Sequence, residues 1–331
     1  MNRPFKHHNK QLRRGGVRTV VNIDKRVIMV HVMLGLQVPS FAWPESPESL
    51  GPTLRRIAVE AEQSGMASFW VLDRLQQIRP FGEPEEAMLE GWTVLAHLAA
   101  VTEKITLGTM VSGVAHRHPG VLVKTATTLD VLSGGRAWLG MGAAWNEDEH
   151  SALGIDFPPL AERFERLEET LRIALRLWSG DGSPFEGRHY HLERPVPSPR
   201  PISRPRPRIL IGGGGERKTL RLVAQYADAC NIFEYGTDYV AGKLAVLRRH
   251  CAQVGREESA VEKTVVGFLS LSSDGRGESL TVGEAVQKYG EYADLGVDHA
   301  IVMIPEVWRP GSLALVPELV DQLRRIVPAG R

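Results

Sequence analysis

The sequence predicts an α/β fold, a (β/α)8 TIM barrel with an insertion before the fifth strand, and three observations carry that prediction. Short apolar runs alternate with amphipathic stretches from His31 onward, the mark of repeated βα units. The alternation supplies eight strands and eight helices, enough to close a barrel, with a doubly wound open sheet as the alternative. One stretch, Gly180 to Pro207, breaks the pattern: Pro195, Pro197, Pro199, Pro201, Pro205 and Pro207 forbid a regular helix or central strand there.

Taken in order, the first strand is expected over Val30 to Val38. A helix follows, with Leu50, Leu54, Ile57, Ala58 and Ala61 on one face and Gly65 as its stop. Ser68 to Asp73 reads as the second strand and Glu86 to Glu103 as its helix. Ile105 to Val111 is the third strand, followed by a helix over Gly120 to Leu132 that Gly134-Gly135 halts. Ala137 to Met141 is the fourth strand. The helix over Glu162 to Trp178 carries one stripe of Phe164, Leu167, Leu171, Ala174, Leu175 and Trp178, supported by i,i+4 pairs of Glu162 with Arg166 and Glu168 with Arg172. After the insertion come the fifth strand, Arg208 to Ile211, and then Thr219 to Ala227, Ala229 to Phe233, Tyr239 to Gln253, Thr264 to Ser270, Val286 to Leu295, His299 to Ile304 and Leu313 to Ile326.

Composition narrows the function. The 331 residues are 43% hydrophobic and 24% charged, an ordinary globular balance able to bury a large core. A net charge of +1 argues against nucleic acid or a membrane surface as the partner and leaves a small-molecule substrate. Cys230 and Cys251 lack disulfide-framework and metal-site spacing. No apolar run reaches membrane-span length, and Asp24, Lys25 and Arg26 break any secretory core, so a cytoplasmic location is expected. Residues 1–29 carry Arg3, Lys6, Lys10, Arg13, Arg14 and Arg18 with almost no apolar periodicity. They read as a basic N-terminal extension, disordered or an arm for an anionic partner, ahead of a barrel domain over 30–331.

Active sites of such barrels lie at the C-terminal ends of the strands. The positions to inspect are therefore Gln37 to Pro39, Asp73-Arg74, Val111 to Gly113, Met141 to Ala143, Gly212 to Gly215, Phe233-Glu234, Ser270 and Met303-Ile304. Gly212, Gly213, Gly214 and Gly215 follow a strand and open a helix. Backbone N–H groups there can approach an anion closely, helped by the helix N-terminus, so the run points to phosphate rather than a bare turn. Gly140, Gly142 and Ala143, ahead of Trp145, are small: they leave room for a flat ring or simply allow tight strand packing. Arg117 or His118 can bind an anion or belong to an ordinary exposed loop. Asp73 and Arg74 are a catalytic pair or a structural ion pair. The eleven histidines are scattered, and no metal site is expected.

At these same residues the chain resembles the luciferase-like monooxygenase superfamily, specifically its deazaflavin-dependent branch. The resemblance lies in Ile105 to Gly113 with Arg117-His118-Pro119, Thr128 to Arg136, Leu139 to His150, Phe185 to Tyr190 and Ile209 to Leu220. It implies a flavin-type ring over the strand ends, a phosphate near the glycine run, and a non-prolyl cis peptide near Met110-Val111-Ser112 that backs the ring. It also implies a homodimer. Many members carry Asp-His at the second strand's end, where this chain has Asp73-Arg74. Arginine stays protonated and cannot act as a general base.

The reading that follows is hydride transfer between coenzyme F420 and a small organic substrate. Asp73 and Arg74 would be catalytic, with Arg74 stabilising developing negative charge. Gln37, Met110, Val111, Ser112, Gly113, Arg117, His118, Gly140, Gly142, Ala143, Trp145 and Gly212 to Gly215 would bind the cofactor, and Trp43, His116 and the insertion would shape the pocket. The alternatives are an FMN-dependent monooxygenase using oxygen and a non-catalytic flavin-binding barrel.

Overall fold

The computed structural model describes residues 32–44 and 47–326. The proposed N-terminal extension, and Val30-His31 of the expected first strand, lie outside the described residues. Eight staves of parallel strand close on themselves. They are β1 (Met33–Val38), β2 (Ser68–Val71), β3 (Thr106–Thr109) continued by β4 (Ser112–Gly113), β5 (Ala137–Gly142), β8 (Arg208–Gly212), β9 (Ala229–Phe233), β10 (Glu262–Phe268) and β11 (His299–Met303). Closure comes from β1 pairing with both β2 and β11, and from β3 and β4 both pairing with β5. Every stave thus has two neighbours, and the open-sheet alternative is excluded.

The helices follow in order: α1 (Pro47–Gln63), α2 (Gly91–Ala99), α3 (Pro119–Leu132), α4 (Glu147–Leu153), α5 (Leu160–Ser179), α6 (Thr219–Tyr226), α7 (Thr237–Gln253), α8 (Val282–Asp294) and α9 (Val316–Leu323). Most match the expected spans to within a few residues. Two differ. α2 begins at Gly91 rather than Glu86, because Glu90 takes the N-cap and accepts the Thr93 N–H at 2.7 Å. α4 was not foreseen. Its seven residues carry acids throughout the first turn and stop at Gly154 in the left-handed region, φ +66°.

The insertion holds a short antiparallel hairpin, β6 (Phe185–Glu186) with β7 (His191–Leu192). Two carboxylates staple it to the barrel's helices. Glu169 of α5 accepts the Arg188, His189 and Tyr190 N–H groups, and Asp130 of α3 accepts those of Ile202 and Ser203. Ion–dipole bonds of this kind replace the ladder that the prolines deny.

Inside the barrel, Trp70, Met110, Trp138, Leu210, Ala229, Val266, Ile301 and Met303 form one cluster. Trp70 and Trp138 meet edge to face, 5.5 Å apart, and Gly108 is what admits them: a Cβ there would lie 2.4 Å from the Trp70 ring. Below, at the N-terminal strand ends, Ser68, His299, Glu262 and Arg208 form a hydrogen-bonded chain, which belongs to the barrel's stability face. The C-terminal mouth is thereby left for chemistry.

Candidate active site

The third stave breaks at the mouth. The Met110–Val111 peptide is cis, as the resemblance implied, and splits β3 from β4. Val111 then lies where its neighbours lack side chains. A Cβ on Gly142 or Gly212 would fall 2.9 Å from a Val111 methyl, and one on Gly140 would fall 1.8 Å from the Thr109 carbonyl. These glycines make room for the bulge itself. The bulge, in turn, presents Met110 and Val111 beside the barrel interior, and Gln37 donates to the Met110 carbonyl at 3.4 Å.

Asp73 is fully buried and sits under this bulge. It accepts from Ser112 Oγ at 2.5 Å, from Trp92 Nε1 at 3.2 Å, and from the Arg117 guanidinium at 2.5 and 2.9 Å. Arg117 also pairs with Glu90. Burial opposes the Glu90 charge, but its bonds to Thr93 and the Arg117 charge win and hold its carboxyl below the usual range. Asp73 and Arg74 therefore do not pair with each other.

Arg74 turns the other way. Its guanidinium lies 4.8 Å over the ring of Trp145, which is 60% exposed, and donates to Glu149 Oε2 at 2.8 Å. Glu149 Oε1 accepts the Leu75 N–H at 2.6 Å. Burial pushes the Glu149 carboxyl up, but His116, the Leu75 N–H and Arg74 outweigh it and bring the pKa down to about 2. An ionised Glu149 thus already compensates the Arg74 charge.

His116, from the loop after β4, lies in the same layer. Its Nε2 is 3.3 Å from Glu149 Oε2 but off the hydrogen-bond line. Its ring lies beside His150, centroids 4.8 Å apart, and packs under Gly113, where a Cβ would be 3.3 Å from His116 Cε1. Burial lowers the His150 pKa; the bond from its Nδ1 to the Asn146 carbonyl opposes this without reversing it, and His116 adds to the lowering.

The glycine run leaves β8 at the mouth and reaches α6. Gly213 has φ +114°, a conformation that favours glycine, and its N–H bonds the Asn231 carbonyl at 3.0 Å. Gly214 lies outside that region. Its constraint is proximity: a Cβ would lie 2.7 Å from the Tyr239 hydroxyl. Gly215 is similarly crowded by Thr219 Oγ1 at 2.7 Å. His118 is not brought to this group; it caps α3 through a bond from the Gly120 N–H and lies edge-on to Tyr190 of the insertion.

Ala143 and Ala144 lead from β5 to Trp145, and Ala144 takes a φ of +58°, its carbonyl held by Arg163. Opposite them the mouth is aromatic. Phe233 and Phe268 end β9 and β10 at 47% and 60% exposure, and Phe81 meets Phe268 with centroids 6.4 Å apart. Sequence reasoning did not assign Glu90, Trp92, Glu149, His150, Phe81 or Phe268. The Glu147-Asp148-Glu149-His150 run was visible, but nothing local says which acid turns inward.

A barrel with a split third stave, glycine-lined neighbours and a buried Asp–Arg clasp at its mouth defines a class that comparison identifies. The family model described as luciferase-like monooxygenase matches residues 33–277, and the chain belongs to that family of oxidoreductases. The F420-dependent glucose-6-phosphate dehydrogenase of Kineococcus radiotolerans is 33% identical over 234 residues, covering 69% of this chain and 67% of that protein. Pyrimidine monooxygenase RutA of Acinetobacter baylyi is 30% identical over 231 residues, covering 66% of this chain and 58% of that protein. An F420-dependent secondary alcohol dehydrogenase, solved in complex with an F420-acetone adduct, superposes with a TM-score of 0.75 at 15% identity, covering 88% of this chain and 99% of that one; it shares the fold. Among the described residues no helix is long and apolar enough to cross a membrane.

Proposed function

We propose that this protein is an F420-dependent oxidoreductase that transfers hydride to or from a small carbonyl or unsaturated compound with an apolar body. The observation that carries the reading is the bulge at Met110–Val111, seated in the space left by Gly140, Gly142 and Gly212. It offers a fixed apolar shelf at the barrel mouth, against Gly212 at the start of the glycine run. The relatives described above supply the cofactor's name.

The residues present fit such a group. The glycine run is a cradle for a phosphate, since any side chain at Gly213, Gly214 or Gly215 would meet either a strained φ or a neighbour. Met110 and Val111 would back the ring, and Gln37 donates to the Met110 carbonyl. Once bound, the deazaflavin supplies a ring carbon that gives or takes hydride. The chain supplies position and electrostatics. Asp73 and Arg117 lock the bulge through Ser112, Trp145 covers Arg74, and Phe81, Phe233 and Phe268 favour an apolar substrate body.

The deciding experiment is fluorescence titration of the purified protein with coenzyme F420 and with FMN, followed by anaerobic turnover with short-chain alcohols and enones. F420 binding in the micromolar range or tighter, with oxygen-independent turnover, is expected. Tight FMN binding with oxygen-dependent product formation would instead establish the monooxygenase reading. A homodimer is expected, and light scattering would measure it.

A further inference from the structure

The fold gathers three shielded imidazole nitrogens that lack hydrogen-bond partners. They are His116 Nδ1, His116 Nε2 and His150 Nε2. Buried polar atoms normally find partners; His116 Nε2 has Glu149 Oε2 at 3.3 Å, off the hydrogen-bond line, but His116 Nδ1 and His150 Nε2 have none, and these two orphans in one place call for a missing ligand. The His116 side chain is 1% exposed and His150 is fully buried. His150 is also pre-set. Its Nδ1 lies 2.7 Å from the Asn146 carbonyl, which can only accept, so Nδ1 carries the proton and Nε2 keeps a free lone pair. Metal-binding histidines are oriented by this kind of carbonyl contact.

The third donor is Glu149, whose Oε2 lies 3.3 Å from His116 Nε2. Donor atoms of His116, Glu149 and His150 all lie within 4.8 Å of one another. Two donors each about 2.0–2.1 Å from one tetrahedral ion sit about 3.4 Å apart, so side-chain rotations that bring the donors up to about 1.4 Å closer complete the site. We infer that His116, Glu149 and His150 form a binding site for a divalent transition-metal ion. Two imidazoles and a carboxylate suit zinc or cobalt over magnesium or calcium, which prefer oxygen. Because His116 follows β4 while Glu149 and His150 lie on α4, the ion fastens α4 to the loop beside the barrel mouth. Arg74 shares Glu149 Oε2, at 2.8 Å, and so competes with the ion for it. This site does not depend on which cofactor the barrel takes.

The test uses the full-length, untagged protein, stripped with chelator and titrated with Zn2+ and Co2+ by calorimetry and absorption. About one ion per chain at micromolar affinity or better is expected, with Mg2+ unable to compete. His116→Phe and His150→Phe each remove a donor without adding a buried polar atom. Each should weaken binding at least roughly tenfold while melting curves confirm the fold. His191→Ala, an exposed hairpin position, should leave binding unchanged, and Arg74→Gln should tighten it several-fold. If either Phe variant fails to fold, the parent's Co2+ spectrum decides: bands of nitrogen ligation support the site, and a fully aquo spectrum rejects it. Absence of stoichiometric binding, or binding that survives both substitutions, overturns the proposal and leaves ordered water as the partner of these nitrogens.

Discussion

Val111 occupies the space that a side chain at Gly142 would take: a Cβ there would sit 2.9 Å from Val111 Cγ2. The two positions, one on each of two neighbouring staves, define a single packing unit under the proposed ring.

Gly142→Ala should therefore destabilise the protein by about 1–3 kcal/mol through overpacking. Val111→Ala in the same chain should restore most of that loss, because it removes the methyl in conflict. Urea unfolding of the two single variants and the double variant measures the coupling. Additive effects would mean that the contact does not set the bulge.

Arg117 and Asp73 form the buried clasp behind the bulge, and removing one partner leaves the other charge uncompensated. Arg117→Gln should cost about 3–5 kcal/mol of stability. Adding Asp73→Asn should recover part of it, since the orphaned carboxylate is gone. A purely catalytic role for Asp73 predicts lost turnover with unchanged unfolding midpoints in both single variants, so denaturant curves separate the cases.

Arg74 is clamped between Trp145 and Glu149, so Arg74→Ala should lower kcat at least roughly tenfold, about 1.4 kcal/mol, and should also lower stability by exposing Glu149 as an unpaired charge. Arg74→His is the sharper probe. Its imidazolium can pair with Glu149, and a histidine able to exchange protons adds a limb to the pH–rate profile near neutrality. An unchanged profile with normal turnover would assign position 74 to structure.

The glycine run separates geometry from ligand contact. Gly213→Ala should lose about 1–3 kcal/mol, because φ +114° strains any L side chain there. Gly214 has no such requirement and faces the movable Tyr239 hydroxyl at 2.7 Å and the Lys243 stem at 3.4 Å, so Gly214→Asp should fold after small shifts of both side chains. Its carboxylate would then repel the proposed phosphate and weaken F420 binding at least tenfold, about 1.4 kcal/mol. Fluorescence titration alongside thermal melts reads both effects. Undiminished affinity in a folded Gly214→Asp protein would move the phosphate site elsewhere.

Much of the architecture was legible in the chain itself. Periodicity belongs to each segment separately, so the strands and most helices could be placed from residues a few positions apart, and the alternation of the two determined the barrel. The position of the site followed from the barrel, since strand ends are defined once the strands are. α4 escaped because seven residues with no apolar stripe carry no periodic signal, and its helix is held by Glu149 turning inward to Leu75 and Arg74.

What only the tertiary structure decided is which charges meet. Asp73 and Arg74 are adjacent in sequence, yet successive residues leaving a strand point to opposite sides, so each finds its partner far along the chain: Arg117 for one, Glu149 for the other. The same holds for Gly142, whose small size serves a valine on the neighbouring stave, and for His116, which lies 33 and 34 positions from Glu149 and His150. Side-chain chemistry and local pattern are properties of the sequence. Pairing across the barrel depends on register and closure, and no local signal encodes the distance between two residues that the fold alone brings together.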